Sequence, residues 1–248
     1  DFAQRTVAVG GGESSIKVFS GSNFSTTSGN PINPDDLWYV NGTGVGAYGR
    51  FQFGEVYKSR IYLAGENNYV PFGSRLFFSS VISSSGNITW TPQTDYVDIN
   101  PSDGENFTAL KRFSLELLCF KPNYIYRFRT SGVDPDPLIR IGTRSQESII
   151  EGKRGLYFHH DSGFYRYSGG YPEEISRPIS DIVKAITFGN YDDIAAWKDD
   201  DNIYWSIGNV TVAEPKGSVT YTSAVVRFTE SSKVWTVYSY PTTINWGV

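Results

Sequence analysis

Short runs of β-branched and aromatic residues, broken by Gly, Asn, Asp, Ser and Pro, dominate the pattern of apolar and polar positions along the chain. Such runs are typical of many short antiparallel strands. Four pairs of runs predict β-hairpins, because each pair flanks a short segment of residues that tolerate tight backbone geometry. The paired strands are predicted at residues 115–120 with 124–129, 155–160 with 164–168, 194–197 with 203–207, and 224–229 with 233–238. Related strands are predicted at residues 60–64 and 76–79.

Helical periodicity stands out at one place, residues 175–186. Four apolar residues there recur at the spacing i, i+3, i+4, i+7, which forms one apolar stripe on a helix. They are Ile179, Ile182, Val183 and Ile186. Ser176 and Ser180 are candidate N-caps, and Pro178 suits a first helical turn. We therefore expect one short helix or a single turn, confined mainly to residues 178–186.

The hairpins recur at a regular interval. Ile125, Phe164 and Ile203, each followed by Tyr, open the second strand of a predicted hairpin, and each is 39 residues from the next. A period near 40 residues with about four strands per unit is typical of a β-propeller blade. We predict an all-β fold, a β-propeller of about six blades built from four-stranded antiparallel sheets with at most one short helix, as a single domain over residues 1–248. A β-sandwich or barrel is the alternative, because it also has closely spaced strands.

Aromatic residues are abundant, with 6 Trp, 17 Tyr and 16 Phe. In a propeller, large rings fill the wedge between blades, so we expect most of these rings in the core. Residues 2–9 and 242–248 both have strand-like patterns, which predicts that the first and last strands pair and close the propeller. The chain has no Met and begins Asp1-Phe2-Ala3, so we expect it to be a processed or excised part of a longer polypeptide.

Charge and cysteine content narrow the class of function. The net charge of −4 argues against strong non-specific binding to nucleic acid, which requires a basic surface. One Cys excludes an internal disulfide and a zinc site built from several cysteines. No apolar run approaches the roughly 18 residues of a membrane span, so no membrane-spanning segment is expected. The N-terminus has no signal-peptide pattern.

Clustered polar residues offer little chemistry. Asp199, Asp200 and Asp201 suggest a calcium loop, but the spaced ligands, the Gly bend and the distal Glu of such a loop are missing, so a solvated hairpin tip is expected. Residues 134–137 alternate Asp and Pro and predict a stiff loop.

The histidines and the cysteine are expected to be structural. His159 and His160 are adjacent in a predicted strand and point to opposite faces, so they cannot bind one metal ion together. The sequence offers neither of them a nucleophile with an acid behind it. Cys119 lies in an apolar strand and is expected to be a buried, inert thiol. We therefore predict no catalytic, cofactor-binding or metal-binding residue, no cofactor, and no enzymatic activity.

Residues 83–90 partly match the Asp-box turn of sialidase-like propellers. Ser83, Thr89 and Trp90 match, whereas Ser85 and Asn87 replace the Asp and Gly of that turn. A glycosidase also needs two positioned carboxylates. Asp95, Asp98, Asp103 and Glu105 lie in one loop-rich stretch, and the sequence does not single out a pair.

A longer stretch resembles the propeller domains of bacteriophage tail-hub, nozzle and head–tail completion proteins. Its segments are residues 73–80, 88–90, 95–99, 103–110, 117–121 and 124–128, and the next blade continues the likeness at residues 155–158, 163–167 and 175–176. The resemblance covers about residues 50–240, and its motifs are turn and core residues. One departure is Ser162, which is inserted into the Asp-Gly hairpin tip of the family pattern.

The resemblance implies a structural virion protein of a phage tail or head–tail neck. Such proteins form rings around the DNA channel, commonly sixfold in short-tailed phages, so a hexamer is expected. Portal or adaptor proteins and tail fibres are the implied partners, and DNA would pass through without sequence-specific binding. The acidic net charge is consistent with a channel wall that does not grip phosphates.

Two other functions remain open from sequence. A glycan-binding propeller lectin would use surface aromatics such as Trp38, Tyr39, Trp90 and Tyr171 to stack on sugar rings. A sialidase-like glycoside hydrolase would need a pair of acids from the stretch at residues 95–105.

Overall fold

The computed structural model describes residues 5–8, 17–20, 24–26, 52–65, 73–81, 94–129, 132–133, 140–215 and 217–241. The chain divides into two compact units. Unit 1 comprises residues 1–119 and 126–136, and unit 2 comprises residues 120–125 and 137–248. The predicted pairing of residues 2–9 with residues 242–248 lies largely outside the described residues.

The described residues form nineteen strands and one short α-helix. The strands are β1 (Arg5–Ala8), β2 (Lys17–Ser20), β3 (Phe24–Thr26), β4 (Phe53–Tyr57), β5 (Arg60–Ala64), β6 (Arg75–Phe78), β7 (Tyr96–Asp98), β8 (Ala109–Phe113), β9 (Glu116–Phe120), β10 (Ile125–Arg129), β11 (Gly132–Val133), β12 (Ile150–Glu151), β13 (Leu156–His160), β14 (Gly163–Tyr167), β15 (Glu173–Glu174), β16 (Ala195–Asp199), β17 (Asn202–Glu214), β18 (Gly217–Thr229) and β19 (Val234–Tyr238). The helix α1 is Ser180–Ala185, and short 3₁₀ turns lie at Pro101–Asp103, Gln146–Ser148, Arg177–Ile179 and Phe188–Asp193.

The strands build up-and-down antiparallel sheets. Four sheets have four strands each, β4–β7, β8–β11, β12–β15 and β16–β19, and strands β1–β3 form a three-stranded sheet. In every sheet, neighbouring strands follow one another along the chain. This is the topology of a propeller blade. The structure confirms the predicted fold class, all-β with four-stranded antiparallel sheets and one short helix, while the number of blades stays a prediction.

The four predicted hairpins are present, as β9–β10, β13–β14, β16–β17 and β18–β19. One predicted end of each of two strands is wrong, because β17 and β18 have 13 residues each. Strand β17 continues beyond residue 207, where the predicted strand ended, and β18 begins before residue 224, where the predicted strand began. The predicted helix is confirmed as a 3₁₀ turn followed by α1. Ser176 makes no side-chain cap, because its Oγ accepts the N–H of Phe164 instead (3.0 Å).

The 39-residue repeat holds only once. Ile125 and Phe164 both lie in the third strand of their sheets, β10 and β14, but Ile203 lies in the second strand, β17. The first strands of the four-stranded sheets begin at residues 53, 109, 150 and 195, so their spacing is 56, 41 and 45 residues. Loops and strand extensions of different length account for these unequal intervals, so the second 39-residue interval joins non-equivalent strands.

Aromatic rings pack between neighbouring sheets inside each unit, as the composition predicted. In unit 1, Tyr62 of β5 meets Phe128 of β10 with ring centroids 5.3 Å apart. In unit 2, Phe164 of β14 lies 4.7 Å from Trp205 of β17 and 5.4 Å from Trp235 of β19. Helix α1 adds Ile182 and Val183 to the same core. Trp205 is fully buried and donates its indole N–H to the carbonyl of Ser148 (3.0 Å), so its polar atom is satisfied.

Candidate functional site

The acids considered for a glycosidase are held in structural contacts in unit 1. Asp98 forms a bidentate pair with Arg75 (2.6 and 2.8 Å), whose guanidinium lies 3.7 Å from the ring centroid of Tyr96. Asp103 accepts the hydroxyl of Tyr126 (3.0 Å) and the N–H of Glu105 (2.9 Å), which closes the loop before β8. These contacts show that two of the four candidate carboxylates stabilise loops and strand edges.

The three tandem aspartates lie at the β16–β17 turn in unit 2. Asp200 binds the Lys153 ammonium (2.7 Å), and the Asp201 carboxylate accepts the N–H of Ser231 (3.2 Å). The bond from Ser231 and the nearby positive charge of Lys153 lower the pKa of Asp201. The turn is therefore more than a solvated tip, because it ties neighbouring turns together. No cluster of metal-ligating side chains occurs among the described residues.

The two histidines occupy different environments at the end of β13. His159 is 1% exposed and lies against the rings of Phe164 and Tyr191, both 5.1 Å away. Burial lowers the pKa of His159 to about 3, an effect that the nearby Asp161 opposes and His160 reinforces, so the ring is neutral near pH 7.

His160 takes part in the β13–β14 turn. Its Nδ1 accepts the N–H of Ser162 (3.1 Å) and lies 2.8 Å from the Ser162 hydroxyl. The adjacent acid, Asp161, forms a bidentate pair with Arg144. The Ser–His contact is thus a local turn between residues two positions apart.

Other residues singled out from sequence are partly described. Cys119 is fully buried, as predicted. Tyr171 is 77% exposed in the turn between β14 and β15. Several others lie outside the described residues: Trp38, Tyr39, Trp90, the Asp-box-like segment at residues 83–90 and the Asp-Pro loop at residues 134–137.

A buried carboxylate joins the two sheets of unit 2. Glu230, 2% exposed, follows β18 and accepts the backbone N–H groups of Lys153 (2.9 Å) and Arg154 (3.0 Å) and the hydroxyl of Tyr157 (2.7 Å). A side chain at Gly152 would come within 2.8 Å of this carboxylate, so Gly permits the close approach. Burial and the bond to Glu230 raise the pKa of Tyr157.

A small pocket of about 170 Å³ opens beside this joint. Its charged lining consists of Arg166, Arg177 and Lys233 with Glu173, Glu174 and Glu230. Two of the acids pair with arginines, Arg166 with Glu173 (2.5 Å) and Arg177 with Glu174 (3.2 Å). Ile175, Pro178 and Phe228 supply an apolar wall. The pocket is charge-balanced, and its size suits a single small polar unit.

A two-stranded extension of the last sheet is the second candidate site. We define the arm as residues 208–223 of β17 and β18, and the base as residues 202–207 and 224–229 of the same strands. In the base, β16 pairs with β17 as far as Ser206, and β19 pairs with β18 from Val225. In the arm, β17 and β18 pair only with each other from Val210↔Tyr221 to Glu214↔Gly217.

Two bulges mark the boundary between base and arm. The register shifts on either side of Gly208, which has φ +72°, and Ser223 opposite has φ +42°. The N–H of Ser223 is satisfied by the side-chain oxygen of Asn209 (2.8 Å). The two shifts are of opposite sense, so the pairing register of the base is restored in the arm. Each bulge reverses the alternation within its own strand, because the core-facing residues of β17 are 203, 205 and 207 in the base but 210 and 212 in the arm. Bulges bend and twist a strand locally. The arm stays in contact with the core, since Val210 belongs to it and Val212 and Tyr221 pack against it.

Sequence reasoning missed the arm, although a signal was present. Residues 210–213 (VTVA) and 218–221 (SVTY) alternate apolar and polar side chains around Glu-Pro-Lys-Gly, a hairpin pattern. The predicted strand ended at residue 207, just before a glycine and an asparagine, which are residue types also common in turns.

The membrane expectation and the comparisons with known proteins add little. Among the described residues no helix is long and apolar enough to cross a membrane.

No family model matches the chain, and no curated protein matches its sequence. Similar solved structures include the computationally designed Ika8 protein (TM-score 0.42, 8% identity, covering 95% of this chain and 67% of that one) and YCF48 bound to D1 peptide (TM-score 0.42, 10% identity, covering 95% and 77%). Likeness at this level supports no conclusion about function.

Proposed function

We propose that the chain is a structural protein of a bacteriophage tail or head–tail neck, of the tail-hub or nozzle kind, which assembles as a ring around the DNA channel. The proposal includes contacts with a portal or adaptor on one side and tail fibres on the other, and a location in the virion. Its first support is the resemblance of residues 50–240 to such proteins, in strand and turn residues.

The observation that carries the proposal is the arm. Proteins that assemble offer surfaces with unpaired backbone groups or exposed apolar residues, and the arm has both. Its strands lack a third neighbour in the described part of the chain, and Val219 is exposed. Two of the four candidate carboxylates, Asp98 and Asp103, and both histidines are, by contrast, engaged in structural contacts.

The test is the mass of the purified chain and its place in particles. Light scattering after size exclusion should give a closed oligomer, with six copies expected. Mass spectrometry and electron cryo-microscopy of purified virions should find the chain in a ring on the tail axis. A monomer at high concentration that is also absent from particles would reject the proposal.

A second candidate function is glycan binding at the pocket beside Glu230, which the described structure favours over the hydrolase. Paired arginine and glutamate side chains present donors and acceptors to neighbouring hydroxyls, and Ile175 and Pro178 offer an apolar surface to the C–H face of a sugar. Tyr171 lies in the loop between the two strands that supply Arg166 and Glu173.

A glycan array tests this second function. Binding should be weakened at least tenfold by Arg177→Ala, which removes a pocket cation. Lys184→Ala is the matched control, because Lys184 is an exposed cation of α1 outside the pocket and pairs with Asp181. An array without signal at high protein concentration, or equal loss in both variants, would reject glycan binding at this pocket.

A further inference from the structure

In the part of the chain that the structure describes, the outer edges of the arm have no strand partner along most of its length. On one side, β16 ends its pairing with β17 at Ser206. On the other side, β19 ends at Tyr238, and only Ser239 and Tyr240 reach back to Thr222. Within the described residues, the segments 210–214 and 217–221 therefore each have one edge without a strand partner. A two-stranded ribbon of this kind is only marginally stable in water by itself.

The arm lacks the usual protection of an open edge. Natural sheets protect edge strands by keeping them short or by placing charges on them. Three of the four outer strands in unit 2 follow this rule: β12 and β15 have two residues each and contain Glu, and β16 contains Lys198 and Asp199. The fourth, β19, has five residues and no charged side chain, so it is not protected in this way either. In the arm, residues 209–213 and 217–223 contain no charged side chain. The nearest charged residues in the sequence are Glu214 and Lys216, on either side of Pro215.

The two faces of the arm differ. Thr211 and Thr220 lie opposite each other on a polar face, with their hydroxyls 3.0 Å apart. Val212 and Tyr221 lie on the other face and pack against the core of unit 2, while Val219 on that face is 37% exposed. Because one face is held against the core, the arm has a fixed orientation and presents its edges sideways.

We propose that the arm is an assembly element that pairs with a second copy of this chain, the free edge of β17 in one copy adding to the free edge of β18 in the next. This inference rests on the proposed ring, since it names the contact that holds neighbouring copies together. Strand β17 runs toward the tip and β18 returns from it, so arms placed side by side and pointing the same way meet as antiparallel strands.

Head-to-tail pairing accounts for both open edges. In a cyclic ring, each arm uses its β17 edge on one neighbour and its β18 edge on the other, and no edge remains open. A two-fold pair would cover only one edge of each arm. Main-chain hydrogen bonds then provide the affinity, as in other cases of strand addition.

A matched pair of substitutions tests the contact. Val219→Lys places a charge on an edge strand of the arm, while Val234→Lys makes the same change at an exposed position of β19, outside the arm, where Val234 is 51% exposed. Light scattering over a concentration series should show the Val219→Lys oligomer dissociating at a concentration at least tenfold higher than wild type. Val234→Lys should behave as wild type, and circular dichroism should show both variants folded.

Cross-linking distinguishes head-to-tail from two-fold pairing. Thr211→Cys and Thr220→Cys are made as separate variants, and Cys119 stays unreactive because it is fully buried. A short bis-maleimide should cross-link copies in an equal mixture of the two variants and not in either alone. Self-cross-linking of one variant alone would overturn the head-to-tail arrangement.

The outcomes separate this inference from the proposed function. An oligomer that survives Val219→Lys unchanged and gives no cross-link would overturn the role of the arm while leaving the ring intact. A wild-type chain that stays monomeric and does not cross-link would overturn both.

Discussion

The base and the arm are two halves of one hairpin with opposite means of stabilisation. In the base, β17 and β18 have a neighbour on each side, and Ile203, Trp205, Val226 and Phe228 are at most 4% exposed. In the arm, the same strands pair only with each other among the described residues, and residues 217–220 are all exposed. The base is therefore stabilised by aromatic packing within unit 2, whereas the arm is stabilised by one ladder and contact along a single face.

The difference shows how a continuous pair of strands can serve two purposes. Burial of large side chains makes the base costly to alter. Substitutions at the exposed Thr and Ser residues of the arm should be nearly neutral for folding, which leaves these positions available for binding. Val210 is the exception in the arm, because it is 1% exposed and belongs to the core.

The largest contrast is expected from truncating Trp205 in the base. Trp205→Ala should lower the free energy of unfolding by about 3–5 kcal/mol, because it leaves a cavity beside Phe164 and Trp235 and removes the donor to the Ser148 carbonyl. Thr211→Ala in the arm is the control and should change it by less than about 0.5 kcal/mol. Denaturant unfolding measures both, and equal losses would refute the contrast.

The second contrast concerns pH. The pKa of His159 is about 3 when folded and about 6.5 when unfolded, so only the unfolded chain binds this proton between those values. The free energy of unfolding should fall as pH drops from 6.5 toward 3. Between pH 6.5 and 4.5, His159→Phe should remove about 2 kcal/mol of that fall.

The arm provides the control for the pH effect. Val219→Lys changes no buried titratable group, so its unfolding should follow the wild-type pH dependence. If His159→Phe also keeps the wild-type slope, the buried imidazole does not control the acid response.

An effect of similar size is expected at the buried carboxylate of Glu230, which follows the base along the chain. Tyr157→Phe removes one of three donors to the buried carboxylate and should cost about 2 kcal/mol of unfolding free energy. Tyr62→Phe is the control, because Tyr62 is also buried but no hydrogen bond of its hydroxyl is found in the described structure. Thermal unfolding of both variants measures the difference, and similar shifts would show that the Glu230 bond contributes little.

The smallest effect is expected at the boundary of base and arm. Gly208→Ala should cost about 1–2 kcal/mol, because φ is +72° and the new Cβ would lie 2.6 Å from the side-chain nitrogen of Asn190. Gly104→Ala has a similar φ of +77° but no atom within 4 Å, so it isolates the backbone strain alone. Equal costs in chemical denaturation would mean that Asn190 moves aside freely.

The sequence was sufficient for the strands of the base and insufficient for the arm. Alternating apolar runs and tight turns predicted the base at residues 203–207 and 224–229, and also β13, β14 and β19 to within a residue or two, since these signals are local. The arm was missed because Gly208 and Asn209 form a bulge, and bulges use the same residue types as turns. An isolated Gly within an alternating pattern was the signal for a bulge.

The Glu230 joint could not be predicted for a different reason. Its burial depends on partners more than 70 residues away along the chain, Lys153, Arg154 and Tyr157, and on the space left at Gly152. A glutamate in a turn is solvated in most proteins, so local sequence predicts exposure. Non-local packing decided the outcome here.

The opposed bulges at residues 208 and 223 also make the arm an interchangeable module. Because their register shifts offset each other, residues can be added or removed in opposed pairs beyond them without moving a side chain of the base to the other face. Selection, or an engineer, can therefore change the reach of the hairpin, or carry a foreign segment at its tip, while the packing of unit 2 is inherited unchanged.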